Sequence, residues 1–346
     1  MLFELYKNHP HIREIHFLLT KHQDITISLK NLSGSSLILV LTALYQEIET
    51  SMVAVFPDKE QAMYAYTDFI NLLSENQVYY FPSSYKRKLK NQHFNHTQVI
   101  LRNECLEKIN LQKKSILVTY PEALSEKVMD RPLLSKNTLP IHINEEIDID
   151  FVEEMLLSYK FELVDFVFKP GQFARRGGIV DVFSFSSENP YRIEFRNEKI
   201  NSLRIFNFES QESLEEIDHV VITPNFSENF QSEINGFVLD YFENKPIIIT
   251  IDSVLFDQQI KQFRTDRFIH PNEEKSNISS YTFDEIYQKI KLFSWIEYGQ
   301  TIRKIAHLFH FNTFPQPSFN KSFELLQDDI IQKYEESYKI YFLVDQ

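Results

Sequence analysis

The 346-residue sequence predicts an α/β fold in which a parallel sheet covered by helices is interrupted by an inserted α+β domain. Three observations predict it. Runs at 52–56, 116–119 and 246–251 are apolar at almost every position, as strands buried on both faces are. Stretches of helical period separate these runs. Between about 135 and 217, strand-like segments follow one another with short turns, which implies antiparallel pairing.

Taken in order, 24–29 alternates polar and apolar residues as a half-buried strand does, and a turn follows at Asn31 to Gly34. Residues 37–48 read as a helix that is apolar on most sides. The strand at 52–56 stops at Pro57, and Asp58 can cap a helix to about Leu73. A strand at 78–81, a helix at 99–111, the strand at 116–119 and a short helix opened by Pro121 complete the first part. The middle reads as a strand at 139–143, a helix at 151–159, and strands at 161–168, 173–185, 191–195 and 199–206. From about Val220 the first style returns, with the strand at 246–251 and a helix begun by Thr282, Asp284 and Glu285. The chain closes with a helix at 323–334 and a buried-type strand at 340–344. A covering helix is expected after such a strand, so 346 reads as a fragment boundary, with a final edge strand as the alternative.

Composition narrows the function. Lys and Arg number 36 against 49 Asp and Glu, a formal charge of −13, which is a poor match for DNA phosphates. The best local exception, Lys86, Arg87, Lys88 and Lys90, reads more simply as a solvated loop. A single cysteine, Cys105, builds neither a disulfide nor a zinc cluster and suits a reducing cytoplasm, where it packs as a small apolar residue. The start carries no secretory signal, and no apolar run approaches the ~20 residues that cross a membrane.

The glycines exclude much chemistry. Gly34, Gly171, Gly177, Gly178, Gly236 and Gly299 are the only six, and none precedes a lysine. A phosphate loop of the form G-x-x-x-x-G-K-[ST] is therefore absent, as are the dinucleotide fingerprint and the nucleophile elbow. None of the 11 histidines is followed by glutamate. His93/His96 and His307/His310 have a spacing that can share a helix face, but two residues without a third ligand read as surface or packing. Asp284-Glu285 looks like a motor's acidic pair, yet Thr282 and Glu285 form the T-x-x-E of a capping box.

One constellation remains. Lys169 to Phe183 reads KPGQFARRGGIVDVF, followed by NPYRIEFR at 189–196 and INSLRIF at 200–206. Gly177-Gly178 in a strand pattern signals a bulge, or close approach of another backbone. In the strand at 191–196, Tyr191, Ile193 and Phe195 face a core, while Arg192, Glu194 and Arg196 face the other way. The residues alone leave two readings of that stripe. It is a solvated face with ion pairs worth ~1 kcal/mol or less, the simpler reading, or a docking face.

These three strings, in this order and spacing, resemble the middle domain shared by the transcription-repair coupling factors (Mfd) and UvrB. Ser210-Gln211 and Ser213 resemble the segment that follows. Looser likenesses extend from about residue 10, at Leu32-Ser33-Gly34-Ser35-Ser36 and at Val118 to Leu124, and fade beyond 225. The resemblance implies a RecA-like host domain, 1–125 and 218–346, holding an inserted α+β domain at 126–217 that binds UvrA. It implies that Arg176, Arg192 and Glu194 lie on the face UvrA recognises. Arg196 joins them, although an aromatic residue is common there in Mfd. Gly34, Ser35 and Ser36 would be a degenerate nucleotide loop that has lost its lysine, as in Mfd and unlike UvrB. The fragment would then hold no cofactor and perform no catalysis. ATP and magnesium would belong to a translocase motor, and RNA polymerase and DNA to domains, that lie beyond this chain. The docking surface would stay masked until that motor engages a stalled polymerase. The competing readings are a UvrB-like ATPase and a stand-alone binder of damaged DNA.

Overall fold

A computed structural model of the chain describes residues 2–84, 96–196, 198–225, 234–268, 280–299 and 307–341. The basic run at 86–90 and His93 lie outside the described residues. The larger sheet has seven strands: β1 (Thr26–Lys30), β2 (Met52–Val55), β3 (Val78–Tyr80), β4 (Ile116–Thr119), β13 (Ile247–Ile251), β14 (Trp295–Tyr298) and β15 (His307–His310). Their order across the sheet is β15-β1-β14-β13-β2-β4-β3, and every neighbouring pair is parallel. Parallel neighbours need crossovers, which helices supply: α3 (Ser36–Glu47) after β1, α4 (Lys59–Leu72) after β2, and α5 (His96–Leu111) between β3 and β4. Every residue of β2, β4 and β13 is buried, as the unbroken apolar runs require. Helix α3 is buried along most of its circumference because α1 (Leu2–Lys7) and α2 (Pro10–Lys21) cover it outside.

The strand at 247–251 pairs with 52–55, so the chain leaves this sheet near Thr119 and returns to it after an excursion of more than a hundred residues. The excursion builds a second sheet, β6 (Glu162–Leu163), β7 (Gln172–Arg176), β8 (Ile179–Val182), β9 (Tyr191–Arg196), β10 (Lys199–Phe206) and β11 (Ser213–Glu216). They lie in sequence order and are antiparallel except for β6 with β7. One face packs on α8 (Ile149–Ser158), with Val152, Leu156, Phe173, Val180, Ile193 and Leu203 in a core of their own. That core also holds Leu139, Ile141, Val220 and Ile222, from the antiparallel pair β5 (Leu139–His142) and β12 (His219–Ile222). The strand at 219–222, read from the sequence as a return to the host style, therefore packs with the insert. In the other direction Val128, Met129 and Leu134 pack in the host core.

The two bodies touch where α5 meets the insert. Glu107 accepts a hydrogen bond from the Thr223 hydroxyl and another from Ser186. Beside it lies a cavity of about 680 Å³, room for several waters, walled by Tyr66, Glu104 and Cys105 on one side and Tyr191 and His219 on the other. Burial there pushes the Glu107 carboxyl up to about 7. Cys105 is buried, and burial raises its thiol, so it packs as an inert apolar residue.

The expected strand at 173–185 divides into β7 and β8. The extended segment at 161–168 keeps only two ladder residues. Short helices α6 (Pro121–Ser125) and α7 (Arg131–Lys136), with α9 (Ser253–Phe268), α10 (Phe283–Ile290) and α11 (Phe323–Glu335), complete the α-helices of the described residues. The expected last strand, 340–344, shows no regular structure at Ile340 and Tyr341, and 342–344 lie outside the described residues. No helix among the described residues is long and apolar enough to cross a membrane.

Candidate protein-docking face

The face begins with a turn. Arg176 pairs with Ile179, so Gly177 and Gly178 are the two central residues of a hairpin rather than a bulge inside one strand. Gly177 has φ +61°, and a Cβ on Gly178 would meet the Phe195 carbonyl oxygen at 3.0 Å. The first glycine supplies a left-handed backbone; the second lets β9 close on the hairpin, where Phe195 donates to the Gly178 carbonyl at 2.7 Å. Of the two readings of this glycine pair, close approach of a second backbone is the one observed.

Alternation then sorts the side chains. Register places Val180 beside Ile193 and Ile193 beside Leu203 on the core face. The intervening positions carry Asp181 beside Arg192, Arg192 beside Arg204, and Glu194 beside Ser202 on the opposite face. Tyr191, Ile193 and Phe195 pack in the insert core, and Arg192, Glu194 and Arg196 face away from it, as the alternation predicts.

Asp181 is the centre of this outer face. Its side chain is 1% exposed, too buried to remain charged without close partners. Arg192 grips it with two bonds, Nε to Oδ1 at 2.7 Å and Nη2 to Oδ2 at 2.9 Å. Nη2 of Arg176 donates to the same Oδ2. Each guanidinium also lies over a ring: Arg176 over Phe166 at 4.9 Å, Arg192 over Phe206 at 4.4 Å. Hydrogen bonding to Asp181 raises the Arg192 pKa above its ordinary value. Gln211 Oε1 lies 3.4 Å from Arg192 Nη2. A second pair stands alongside, Arg204 Nη2 donating to Glu194 Oε1 at 2.6 Å. Arg196 is exposed at the end of β9. In a chain of charge −13, Arg176, Arg192, Arg196 and Arg204 thus stand against Asp181 and Glu194 on one face.

The sequence reading named Arg176, Arg192, Glu194 and Arg196, and the structure brings them onto this one face. It missed Asp181, Arg204 and Phe166. A signal for Asp181 existed: in Ile179-Val-Asp-Val182 one carboxylate alternates with two valines, so it must face away from them, towards the arginines of the neighbouring strand.

Gly34, Ser35 and Ser36 lie elsewhere, in the turn from β1 to α3, where a phosphate loop sits in α/β proteins. Gly34 has φ +56°. The Ser36 hydroxyl is turned back onto the Ser33 carbonyl at 2.6 Å. The segment after β15 crosses the turn: Ser33 N–H donates to the Thr313 hydroxyl at 2.7 Å, Thr313 donates to the Asn31 carbonyl at 2.8 Å, and Phe311 N–H donates to the Lys30 carbonyl. The turn carries no lysine, and Thr313 takes the Ser33 N–H as a hydrogen-bond donor.

Thr282 and Glu285 form a reciprocal capping box, with Thr282 Oγ1 accepting from Glu285 N at 3.1 Å and Glu285 Oε2 accepting from Thr282 N at 2.6 Å, and Asp284 lies in the first turn of the same helix. His307 and His310 lie on β15, not on a helix, so a spacing of three puts them on opposite faces. Among the described residues no group of three or more His, Cys, Asp or Glu could hold a metal ion.

Residues 139–227, which include the whole face, match the model of the UvrB interaction domain. The chain is 28% identical over 199 residues to the transcription-repair-coupling factor of Bacillus subtilis, covering 57% of this chain and 17% of that protein. It is 29% identical over 123 residues to that of Escherichia coli, 36% of this chain and 11% of the relative. The factor of Staphylococcus haemolyticus is 24% identical over 224 residues, 62% of this chain and 19% of its own length. Residues 139–227 are thus similar to the UvrB interaction domain, and the chain is similar to transcription-repair-coupling factors, of which it spans less than a fifth.

Proposed function

We propose that this chain is a recruitment module that docks UvrA through the outer face of the insert, in transcription-coupled nucleotide excision repair. The observation that carries the reading is the pair Arg176 and Arg192, held by buried Asp181 on a stiff sheet inside the segment similar to the UvrB interaction domain. Planar guanidiniums, oriented in advance and partly desolvated, are the side chains best suited to gripping carboxylates of a partner. Glu194 and Arg196 extend the contact. The chain performs no catalysis and holds no cofactor; the strapped turn at Gly34, Ser35 and Ser36 supports this. In a whole protein like its relatives, ATP and magnesium would serve a motor outside this chain, and RNA polymerase and DNA would be bound there too. The repair enzyme would be brought to a stalled polymerase by this face.

Calorimetric titration with purified UvrA tests the reading. Arg176→Ala and Arg192→Ala should each weaken binding by about tenfold or more while far-UV circular dichroism stays unchanged. Wild-type affinity in both variants would reduce the face to solvated surface.

A further inference from the structure

The arginines of the docking face do not stand independently. Asp181 is 1% exposed, so it cannot itself reach a partner, yet both of its oxygens are occupied by Arg176 and Arg192. Oδ2 serves the two guanidiniums at once. An arginine on an exposed strand ordinarily samples many rotamers, and ordering it on binding costs entropy. Here a carboxylate fixes one side of each guanidinium, and Phe166 or Phe206 fixes its plane. Two like charges drawn to one oxygen would also repel each other without the shared anion.

We infer that Asp181 is the positioning residue of this face: it couples Arg176 and Arg192 into one preorganised cationic unit whose remaining donors meet a carboxylate-bearing surface of the partner. The inference rests on the docking reading above and adds a residue and a partner chemistry to it. The unit carries one net positive charge from two arginines and one aspartate. The Arg176 side chain is 40% exposed and that of Arg192 19%, so the pair presents its outer edges while its inner edges are tied down. Phe166, about half exposed under Arg176, adds an apolar patch at the rim.

The test is a mutant cycle on UvrA affinity using the whole chain. Asp181→Asn should weaken binding about tenfold although it alters no surface atom, and should add nothing in a chain already carrying Arg176→Ala and Arg192→Ala. An independent loss of the same size in both backgrounds would mark a merely structural effect and overturn the proposal. Wild-type binding by Asp181→Asn, with both arginine variants impaired, would overturn it too, leaving the docking reading intact. Unimpaired arginine variants would remove the docking reading itself. Arg192→Lys covers the case in which the buried substitution fails to fold, because it changes a partly exposed residue and keeps the charge. It should lose nearly as much as Arg192→Ala, since an ammonium cannot span both oxygens of Asp181. Wild-type affinity in Arg192→Lys would show that charge without geometry suffices, and would overturn the proposal.

Discussion

The seven-stranded sheet is buried on both faces, whereas the six-stranded sheet packs one face on α8 and has the other only partly covered, by a small cluster of Val167, Ala174, Phe183 and Phe206. In β2, β4 and β13 every position is closed off, and Val53, Leu117 and Ile249 have no exposed surface. In β9 only alternate residues enter a core, and the others carry charge. Burying an aliphatic side chain of this size stabilises by about 1.5–3 kcal/mol, so a sheet buried on both faces is a good scaffold and a poor docking surface. A sheet whose second face is only partly covered keeps charged positions there, such as Arg176, Glu194 and Arg196, within reach of a partner. One ion pair from each region shows a like contrast, although Asp181 of the insert is as buried as Glu126 of the host. The host places Arg102 and Glu126 in its interior, at 7% and 1% side-chain exposure; the insert places Arg204 and Glu194 at its surface, at 29% and 26%.

The largest expected effect lies in that host pair. Glu126 accepts from the Ser84 N–H and hydroxyl, from the Ser83 hydroxyl, and stands 3.5 Å from Arg102. Glu126→Ala would leave the buried Arg102 guanidinium with only the Pro82 and Ala123 carbonyls and no counter-charge, and should cost about 3–5 kcal/mol. Urea unfolding followed by the fluorescence of Trp295, the chain's single tryptophan and a host-sheet residue, reads this cost in the host alone. A midpoint left in place would mean the pair is not the internal clasp of the host.

At the junction between the bodies the expected effect is somewhat smaller and depends on pH. Glu107 faces Ser186, Tyr191 and Thr223 of the insert, with Glu104 and Lys108 on its own helix. Its carboxyl is raised to about 7, above the ordinary glutamate value, so the folded chain holds this proton more tightly than the unfolded chain. Stability therefore falls as pH rises from about 4.5 towards 7 and is flat above, by an amount reaching about 3 kcal/mol. Glu107→Gln should remove that slope and be the more stable chain at pH 8. Equal slopes in thermal melts of the two proteins would show that the junction does not sense this proton.

The smallest effect belongs to the surface pair of the insert. Arg204→Ala should cost about 1 kcal/mol or less, because water already screens both partners. A loss as large as that of Glu126→Ala would erase the distinction drawn between interior and surface charge. Measured beside the UvrA titrations, the same variant separates the stability of the face from its affinity.

Much of the fold follows from local pattern. The runs at 52–55, 116–119 and 247–251 are strands because no charged residue interrupts their burial. Asp58 caps α4 by accepting from Gln61 N, and Thr282 with Glu285 caps α10. The alternation at 191–196 orients its side chains without reference to any other element. Elements without such local marks were less legible: β14 and β15 are four-residue strands that the linear pattern does not single out, and their place beside β1 comes from long-range pairing.

By itself, then, the sequence determined the α/β class, the inserted antiparallel segment, and the direction in which Arg192, Glu194 and Arg196 point, because periodicity and capping act within a few residues. Only the tertiary structure decided that Asp181 binds two arginines from different strands, that Val220 and Ile222 complete the insert core, and that Thr313 straps the turn at Ser33. The physical reason is common to all three. Each depends on register or packing between segments separated in the chain, and a local pattern states which face a residue takes but not which residue it meets there.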